Sequence, residues 1–162
     1  MGKVVNERMT AAVEGDFVVF LIGMRFNRPW KIHKWWPVFT AMPKMLRNLY
    51  QDPESGLLHH TLTLTSSGPL VVQYWRSVEQ LHAFAQDMNR PHRPAWKAFH
   101  NAIGYGRKGG DVGIWHETYL IKAGDYESIY GNMPPYGLAR AGEHLPVGRR
   151  GESSAARLTA PS

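Results

Sequence analysis

The stretch that decides the fold is Leu57–Arg76, "LLHHTLTLTSSGPLVVQYWR", near the middle of the chain. Its first half alternates apolar and polar side chains and its second half is more fully apolar, a pattern typical of two strands. The "SSGP" between them has the composition of a tight turn. The stretch therefore predicts a β-hairpin with strands over residues 57–66 and 70–76.

A helix and then a strand are predicted on the N-terminal side of this hairpin. From Trp30 to Tyr50, apolar residues recur at intervals of three and four, which indicates a helix with one buried face. Pro37 and Pro43 are expected to interrupt this pattern, giving a short entry turn or a kinked helix and then a regular part from about Ala41. The preceding residues 16–26 are almost continuously apolar, which predicts a strand buried on both faces.

On the C-terminal side of the hairpin, the sequence again predicts helix and then strand. Ser77 caps a helix over 78–87, a further helix runs over 94–103, and a strand follows over 112–122. The order β-α-β-β-α-β is the ferredoxin-like α+β arrangement, a four-stranded antiparallel sheet with helices on one face. Because the other face would be left uncovered, we expect a homodimer in which two sheets close into an α+β barrel.

The chain has 162 residues, enough for one domain with a hydrophobic core. We expect residues 15–148 to form this ferredoxin-like domain. Residues 1–14 are polar and mixed, which is typical of an arm that orders on contact. Residues 149–162 are predicted to be a disordered tail.

Composition excludes several classes of function. The chain has no cysteine, which rules out disulfides, thiolate metal sites and cysteine nucleophiles. No apolar run is long enough to cross a membrane and no secretory signal is evident, so we expect a cytoplasmic protein without a membrane partner. The net charge is +6, but the basic residues are scattered, so no nucleic-acid partner is expected.

The predicted strand 112–122 carries two adjacent ionisable residues, His116 and Glu117. Consecutive side chains of a strand point to opposite faces, so His116 and Glu117 are expected on different faces of the sheet. We expect His116 to face the helices and a pocket, and Glu117 to face the uncovered side with Tyr119. An alternative for Glu117 is an ion pair with Arg25 or Arg76 at the dimer interface.

The predicted helix 94–103 and its lead-in place two imidazoles among aromatic rings. His92, Trp96 and His100 follow at intervals of four, with Phe99 beside them. Such a stripe above a sheet is typical of a pocket for a flat apolar ligand or a porphyrin. The alternative is packing, with the two aromatic residues in the core and His92 in a cap or loop. No histidine spacing of the H-E-x-x-H type occurs, so a hydrolytic metal site is not expected.

Four stretches together resemble a known family. They are "FLIGMRFNRPWKIHKWWPVFTAMPKML", "QYWRSVEQLHAFAQD", "PHRPAWKAFH" and "GDVGIWHETY…YESIYGNMPPYGL". They resemble a monooxygenase-like family of domains of unknown function, related to the antibiotic-biosynthesis monooxygenases of the dimeric α+β barrel superfamily. The resemblance covers roughly residues 10–150, and the fold it implies agrees with the one predicted from periodicity.

The resemblance implies two kinds of oxygenase chemistry. The superfamily includes oxygenases that use no cofactor and enzymes that bind or degrade haem. The haem degraders have a strand-end Trp-x-Ser, a helix, and then Phe-x-x-x-His, to which "Trp75-Arg-Ser77" and "Trp96-Lys-Ala-Phe-His100" are similar. This implies that His100, or alternatively His92, holds the haem iron, with Trp96 nearby. Those enzymes also use an asparagine after the first strand, a position matched by Asn27.

Two hypotheses follow. The first is a small dimeric monooxygenase, with haem or without any cofactor, that acts on an apolar natural-product or lipid-like substrate with dioxygen. Its catalytic candidates are His92, His100 and His116. The residues expected to line or support its substrate pocket are Tyr74, Trp75, Phe99, Glu117 and Tyr119. The second hypothesis is a non-catalytic accessory protein that binds haem or a small ligand, since fold alone does not separate the two.

Overall fold

The computed structural model describes residues 2–86 and 110–160. Its elements, numbered along the chain, are strands and helices in two connected groups. They are β1 (Val5–Ala12), β2 (Phe17–Phe26), α1 (Ile32–Tyr50), β3 (Leu57–Thr65), β4 (Gly68–Trp75), α2 (Val78–Gln86), β5 (Val112–Ile121), β6 (Tyr130–Met133), α3 (Leu138–Ala141), β7 (Glu143–Pro146) and α4 (Ser154–Leu158). Short 3₁₀ turns cover Pro53–Ser55 and Val147–Arg149.

The main sheet has four antiparallel strands in the order β3-β4-β2-β5. With α1 between β2 and β3, and α2 between β4 and β5, this is the ferredoxin-like topology that the sequence predicts. The two helices pack on one face of the sheet. The core there consists of Leu46 and Leu49 of α1, Leu81 of α2, and the sheet residues Val18, Val71 and Trp75.

The predicted hairpin is confirmed. Thr65 pairs with Gly68, so Ser66 and Ser67 form a two-residue turn. Gly68 has a φ of 150°, and a Cβ atom there would lie 2.1 Å from the carbonyl oxygen of Met24 on the adjacent strand. Only glycine allows the hairpin to approach β2 this closely.

The expectation that the first helix becomes regular only near Ala41 is wrong. Helix α1 runs unbroken from Ile32 to Tyr50, through both prolines, rather than becoming regular near Ala41. Each proline removes one backbone N–H from the helical hydrogen bonds. Leu46 and Leu49 are buried against the sheet, and this packing outweighs the local cost.

A second, three-stranded sheet joins the two ends of the chain. Its order is β6-β1-β7, so residues 5–12, expected to be an arm, form the central strand. Val13, Phe17 and Tyr126 form a second core between this sheet and the main sheet, with Tyr74 and Leu138 packed against it. The second core covers one end of the main sheet's other face.

Residues 149–160 are not the disordered segment that composition predicts, because two arginines anchor them. Arg150 donates to the carbonyl oxygen of Ala11 at 2.8 Å and lies 4.4 Å above the ring of Tyr126. Arg157 of α4 is buried, pairs with Glu127 and donates to the carbonyl oxygens of Gly151 and Glu152. In the part of the chain that the structure describes, no helix is long and apolar enough to cross a membrane.

Candidate functional site: two faces of one sheet

His116 lies on the helix-facing side of the main sheet, as predicted. It pairs with Ile22 of β2, and directly paired residues of an antiparallel sheet share a face. Ile22 packs against the core under α1 and α2. The imidazole ring of His116 lies 5.6 Å from the ring of Phe20 on the same face.

The surroundings of His116 are apolar and open. Phe20 and Ile22 form a partly buried floor, while His116 itself is exposed. Leu120, two register positions further along the same face, is 64% exposed. An accessible imidazole on an apolar floor can accept a proton from, or donate a hydrogen bond to, an apolar molecule seated on it.

Glu117 and Tyr119 form a pair on the opposite face of β5. The Tyr119 hydroxyl donates to a Glu117 carboxylate oxygen at 2.6 Å, and this hydrogen bond together with the carboxylate charge raises the pKa of Tyr119. Trp115 shares this face and its indole lies over Gly23, where a Cβ atom would be 2.4 Å from Nε1. The predicted supporting residues are therefore separated from His116 by the sheet.

The prediction that Trp75 and Tyr74 both line the pocket is wrong. Adjacent on β4, they point to opposite faces. Trp75 is fully buried, with its Nε1 donating to Gln73 Oε1 at 2.8 Å and its ring 5.7 Å from that of Phe84. It has no surface left to offer a ligand. Tyr74 faces the second core instead.

Asn27 follows β2 at the far end of the sheet from the second core. Its side-chain amide donates to the carbonyl oxygen of Gly110 at 3.1 Å. His116 pairs with Ile22, five residues before Asn27, so the two lie about 17 Å apart along the strand. The structure does not bring Asn27 and His116 together.

The loop after Asn27 is held by an ion cluster. The Asp111 carboxylate accepts from Lys31 at 2.9 Å and from Arg28 at 3.1 Å. The hydrogen bond from Lys31, followed by the charges of both cations, holds the pKa of Asp111 below its usual value. This cluster ties the start of β5 to the start of α1.

His92, Trp96, Phe99 and His100 lie outside the described residues, so their roles stay predictions. Among the residues that are described, no group of three or more histidine, aspartate or glutamate side chains could hold a metal ion. Haem would not require such a group, because a single histidine, His100 or His92, would hold it. The helix-facing floor around Phe20 and Ile22 is apolar, which fits a porphyrin face, whereas the amide nitrogen of Asn27 is already engaged with Gly110.

Sequence reasoning missed a second cluster of ionisable groups, on the other face of the sheet. A register shift between Leu57 and His59 places His59 opposite Tyr74, on the face of the second core. Burial, and then the nearby charges of Arg140 and His60, lower the pKa of His59 to about 4. Burial raises the pKa of Tyr74, with smaller contributions from Tyr130 and Tyr136.

This cluster depends on the C-terminal part of the chain. The Tyr130 hydroxyl accepts from the backbone N–H of Ala139 at 3.3 Å, and α3 carries Arg140 toward β3. On the helix side of β3, the Tyr50 hydroxyl lies 2.9 Å from His60 Nδ1. The density of tyrosines in "YGNMPPYGLAR" is the sequence signal that could have indicated the cluster.

The strand order and these residues define a ferredoxin-like α+β protein with an accessible histidine on one face of its sheet and a tyrosine–histidine cluster on the other. Residues 17–138 match the sequence model of the family described as Monooxygenase af470-like. Because the match covers most of the chain, the protein belongs to this family.

One curated relative is Monooxygenase af470 of Aspergillus fumigatus, 28% identical over 169 residues. The match covers 86% of this chain and 56% of the relative, so the chain spans about half the length of that protein.

Several solved structures have a similar chain path. The cofactor-independent oxygenase SnoaB from Streptomyces nogalater has a TM-score of 0.45 and 12% identity, over 64% of this chain and 91% of SnoaB. An aldoxime dehydratase in complex with butyraldoxime has a TM-score of 0.49 and 15% identity, over 87% of this chain and 43% of the dehydratase. A dimeric ferredoxin-like protein of unknown function from Bacteroides fragilis has a TM-score of 0.46 and 9% identity, over 64% of this chain and 94% of that protein. The fold assignment rests on this chain's own strand order.

Proposed function

We propose that the protein is a small monooxygenase that oxidises an apolar natural-product or lipid-like substrate with dioxygen. The observation that carries the proposal is the exposed His116 imidazole on the apolar floor of Phe20 and Ile22. Membership of the monooxygenase family supports it. The absence of cysteine in the sequence is compatible with the cytoplasm as its compartment.

In the cofactor-free form of the proposal, His116 acts as the general base, with His92 and His100 as the other candidates. The base removes a proton from an activated methylene group, and the resulting carbanion reduces dioxygen by one electron. Recombination of the carbon radical with superoxide gives a peroxide anion, which the protonated base neutralises. Loss of water from this hydroperoxide gives a ketone, so one methylene group and one dioxygen become one carbonyl group and one water without an external reductant.

Oxygen consumption with anthrone, a tricyclic ketone with an acidic methylene group, tests this form. His116→Ala should lower the rate roughly 10²-fold, the usual contribution of a general base. Thr118→Ala, the next residue on the same face of β5, should keep most of the activity. A His116→Ala protein that consumes oxygen at the unaltered rate would contradict the assignment of the base. Anthrone binding without turnover by the unaltered protein would favour the accessory-protein hypothesis.

In the haem-dependent form of the proposal, His100 or His92 would hold the haem, which would supply the activation of dioxygen when bound. Protein purified from haem-supplemented cells should then show a Soret band, and His100→Ala or His92→Ala should abolish it. A colourless protein that does not take up added hemin would refute this form and leave the cofactor-free one.

A homodimer is part of the proposal. On the face of the main sheet opposite α1 and α2, the side chains of Trp115, Glu117 and Tyr119 are exposed. Leu21 and Val72 lie on the same face, since they pair with each other and Leu21 pairs with Glu117. A second copy would cover this apolar surface, and Glu117 would then be available to an arginine such as Arg25 of the other copy.

A further inference from the structure

One end of the molecule displays large apolar side chains to solvent. Each of these residues is at least 47% exposed. They come from the loop before α1, from the first turns of α1 and from the edge strand β3: Trp30, Ile32, Trp36, Leu62 and Leu64. We call this set the apolar end. Contiguous exposed apolar side chains of this size mark an interaction surface in a folded protein.

Two contacts show that these residues share one end. The backbone N–H of Phe26, the last residue of β2, donates to the carbonyl oxygen of Ser67 in the hairpin turn at 2.9 Å. The ring of Trp35 lies 4.6 Å from the ring of Phe26. The start of α1 therefore lies beside the hairpin turn, and Leu62 and Leu64 lie next to that turn.

Neighbouring groups hold the tryptophans at and before the start of α1 in place. Trp36 stacks on Phe39 with ring centroids 5.9 Å apart, and Trp35 Nε1 donates to the carbonyl oxygen of Pro29 at 2.9 Å. The ion cluster around Asp111 fixes the loop that carries Trp30. A fixed surface loses little conformational entropy when it binds.

This end of the molecule has a net positive charge. Residues 17–51 contain six lysines and arginines and no aspartate or glutamate, and residues 57–76 contain no acidic residue either. Asp111 contributes one negative charge, which Arg28 and Lys31 share. Lys34 lies in the first turn of α1, two residues after Ile32, and no carboxylate among the described residues pairs with it.

We propose that the apolar end docks the protein on an anionic phospholipid bilayer. Tryptophan is enriched at the membrane–water boundary, and adjacent lysines and arginines are attracted by anionic headgroups. A second copy of the chain is a poorer occupant, because it would bring two surfaces of net positive charge together. The docking is peripheral and requires no membrane-spanning helix. It rests on the exposed surface alone and holds whether or not the proposed oxygenase activity does.

Co-sedimentation of the full chain with vesicles tests this proposal. The protein should bind phosphatidylcholine vesicles containing about 30% phosphatidylserine, and bind pure phosphatidylcholine at least about tenfold more weakly. Raising the salt from about 0.1 M to about 0.5 M should release most of it, because the attraction is screened. Equal binding to both vesicles, or none to either, would refute the proposal.

Variants locate the contact. The double variant Trp30→Ala with Trp36→Ala should weaken vesicle binding at least about tenfold. Leu64→Asn, which alters the edge strand β3 instead, should also weaken it. Leu158→Asn is the matched control, an exposed leucine on α4 outside the apolar end, and should bind as the unaltered chain does. Unchanged binding of the double variant would contradict the proposal. So would a loss of dimer in that variant by analytical ultracentrifugation, since it would assign the surface to a contact between copies.

Discussion

At the scale of single residues, His59 shows how the fold sets the charge of a side chain that the sequence leaves undecided. In the folded chain, burial and the charge of Arg140 lower its pKa to about 4, below the ordinary value of 6.5. The pKa of the adjacent His60 is lowered for the same two reasons. Both imidazoles are therefore neutral near pH 7 in the folded state.

This predicts a pH dependence of stability. Between pH 6.5 and about 4, the unfolded chain binds a proton at residue 59 that the folded chain does not bind, so the free energy of unfolding falls as the pH is lowered. Above pH 6.5 this contribution is constant. Urea denaturation at pH 7.5, 6 and 5 should show the decrease, and His59→Gln should make it shallower, with the remainder due to His60. An unchanged slope in His59→Gln would contradict the altered pKa.

Gly68 is a second residue whose identity follows from its position. A side chain there would meet the Met24 carbonyl oxygen at 2.1 Å and would also occupy a φ of 150°, which is strained for any residue but glycine. Gly68→Ala should lower the free energy of unfolding by about 3 kcal/mol or more, or prevent folding. Gly131→Ala in β6 is the control, because nothing lies within 4 Å of its Cβ position. Equal denaturation midpoints for the two variants would contradict the close approach of the hairpin to β2.

At the scale of elements, α4 shows a buried ion pair that holds a terminal segment. The side chain of Arg157 is only 5% exposed. Removing its guanidinium would leave the Glu127 carboxylate and the carbonyl oxygens of Gly151 and Glu152 without their hydrogen-bond donor. Arg157→Ala should cost about 3–5 kcal/mol or release residues 147–160, seen as early hydrogen exchange there. Arg8→Ala removes a surface ion pair with Glu152, whose two side chains are 60% and 71% exposed. This variant should lower the free energy of unfolding by no more than about 1 kcal/mol. Similar costs for the two variants would show that burial of Arg157 is unimportant.

Which elements could be predicted depends on their length and partners. Strands β2 to β5 are 8 to 10 residues long, so their apolar runs or alternation and the "SSGP" turn determine them locally. Strands β6 and β7 have four residues each and pair with a polar β1 from the other end of the chain. Periodicity cannot reveal pairing of this kind, because the evidence for it lies in contacts between segments at opposite ends of the sequence.

The candidate site was predictable to the same extent. The face of His116 follows from strand alternation and the strand's neighbours. The same rule places Tyr74 and Trp75 on opposite faces, so the prediction of a shared pocket is wrong on grounds that the sequence already contains. The cluster of His59 with Tyr74 could not be predicted, because it depends on a register shift in β3 and on the return of α3 to the sheet.

At the scale of the whole molecule, the second sheet changes how much of the main sheet a partner must cover. The core of Val13, Phe17 and Tyr126 protects one end of the face opposite α1 and α2, and the rest presents Leu21 and Val72 at its centre. These two side chains are partly buried, while Trp115 and Tyr119 beside them are exposed. The proposed dimer would therefore use the half of the face nearer the hairpin turn.

Val72→Arg tests this arrangement. Val72 lies on β4 between Leu21 and Thr61 and faces away from the core residue Val71, so an arginine there would place an unpaired charge in the dimer contact without entering the helix-side core. An uncompensated buried charge costs about 3–5 kcal/mol, so the dimer dissociation constant should rise roughly 10²- to 4 × 10³-fold. Leu64→Arg, on the opposite face of β3, is the control and should leave the dimer intact. Sedimentation velocity over a dilution series measures both, and a Val72→Arg protein that stays as dimeric as the control would refute the proposed interface.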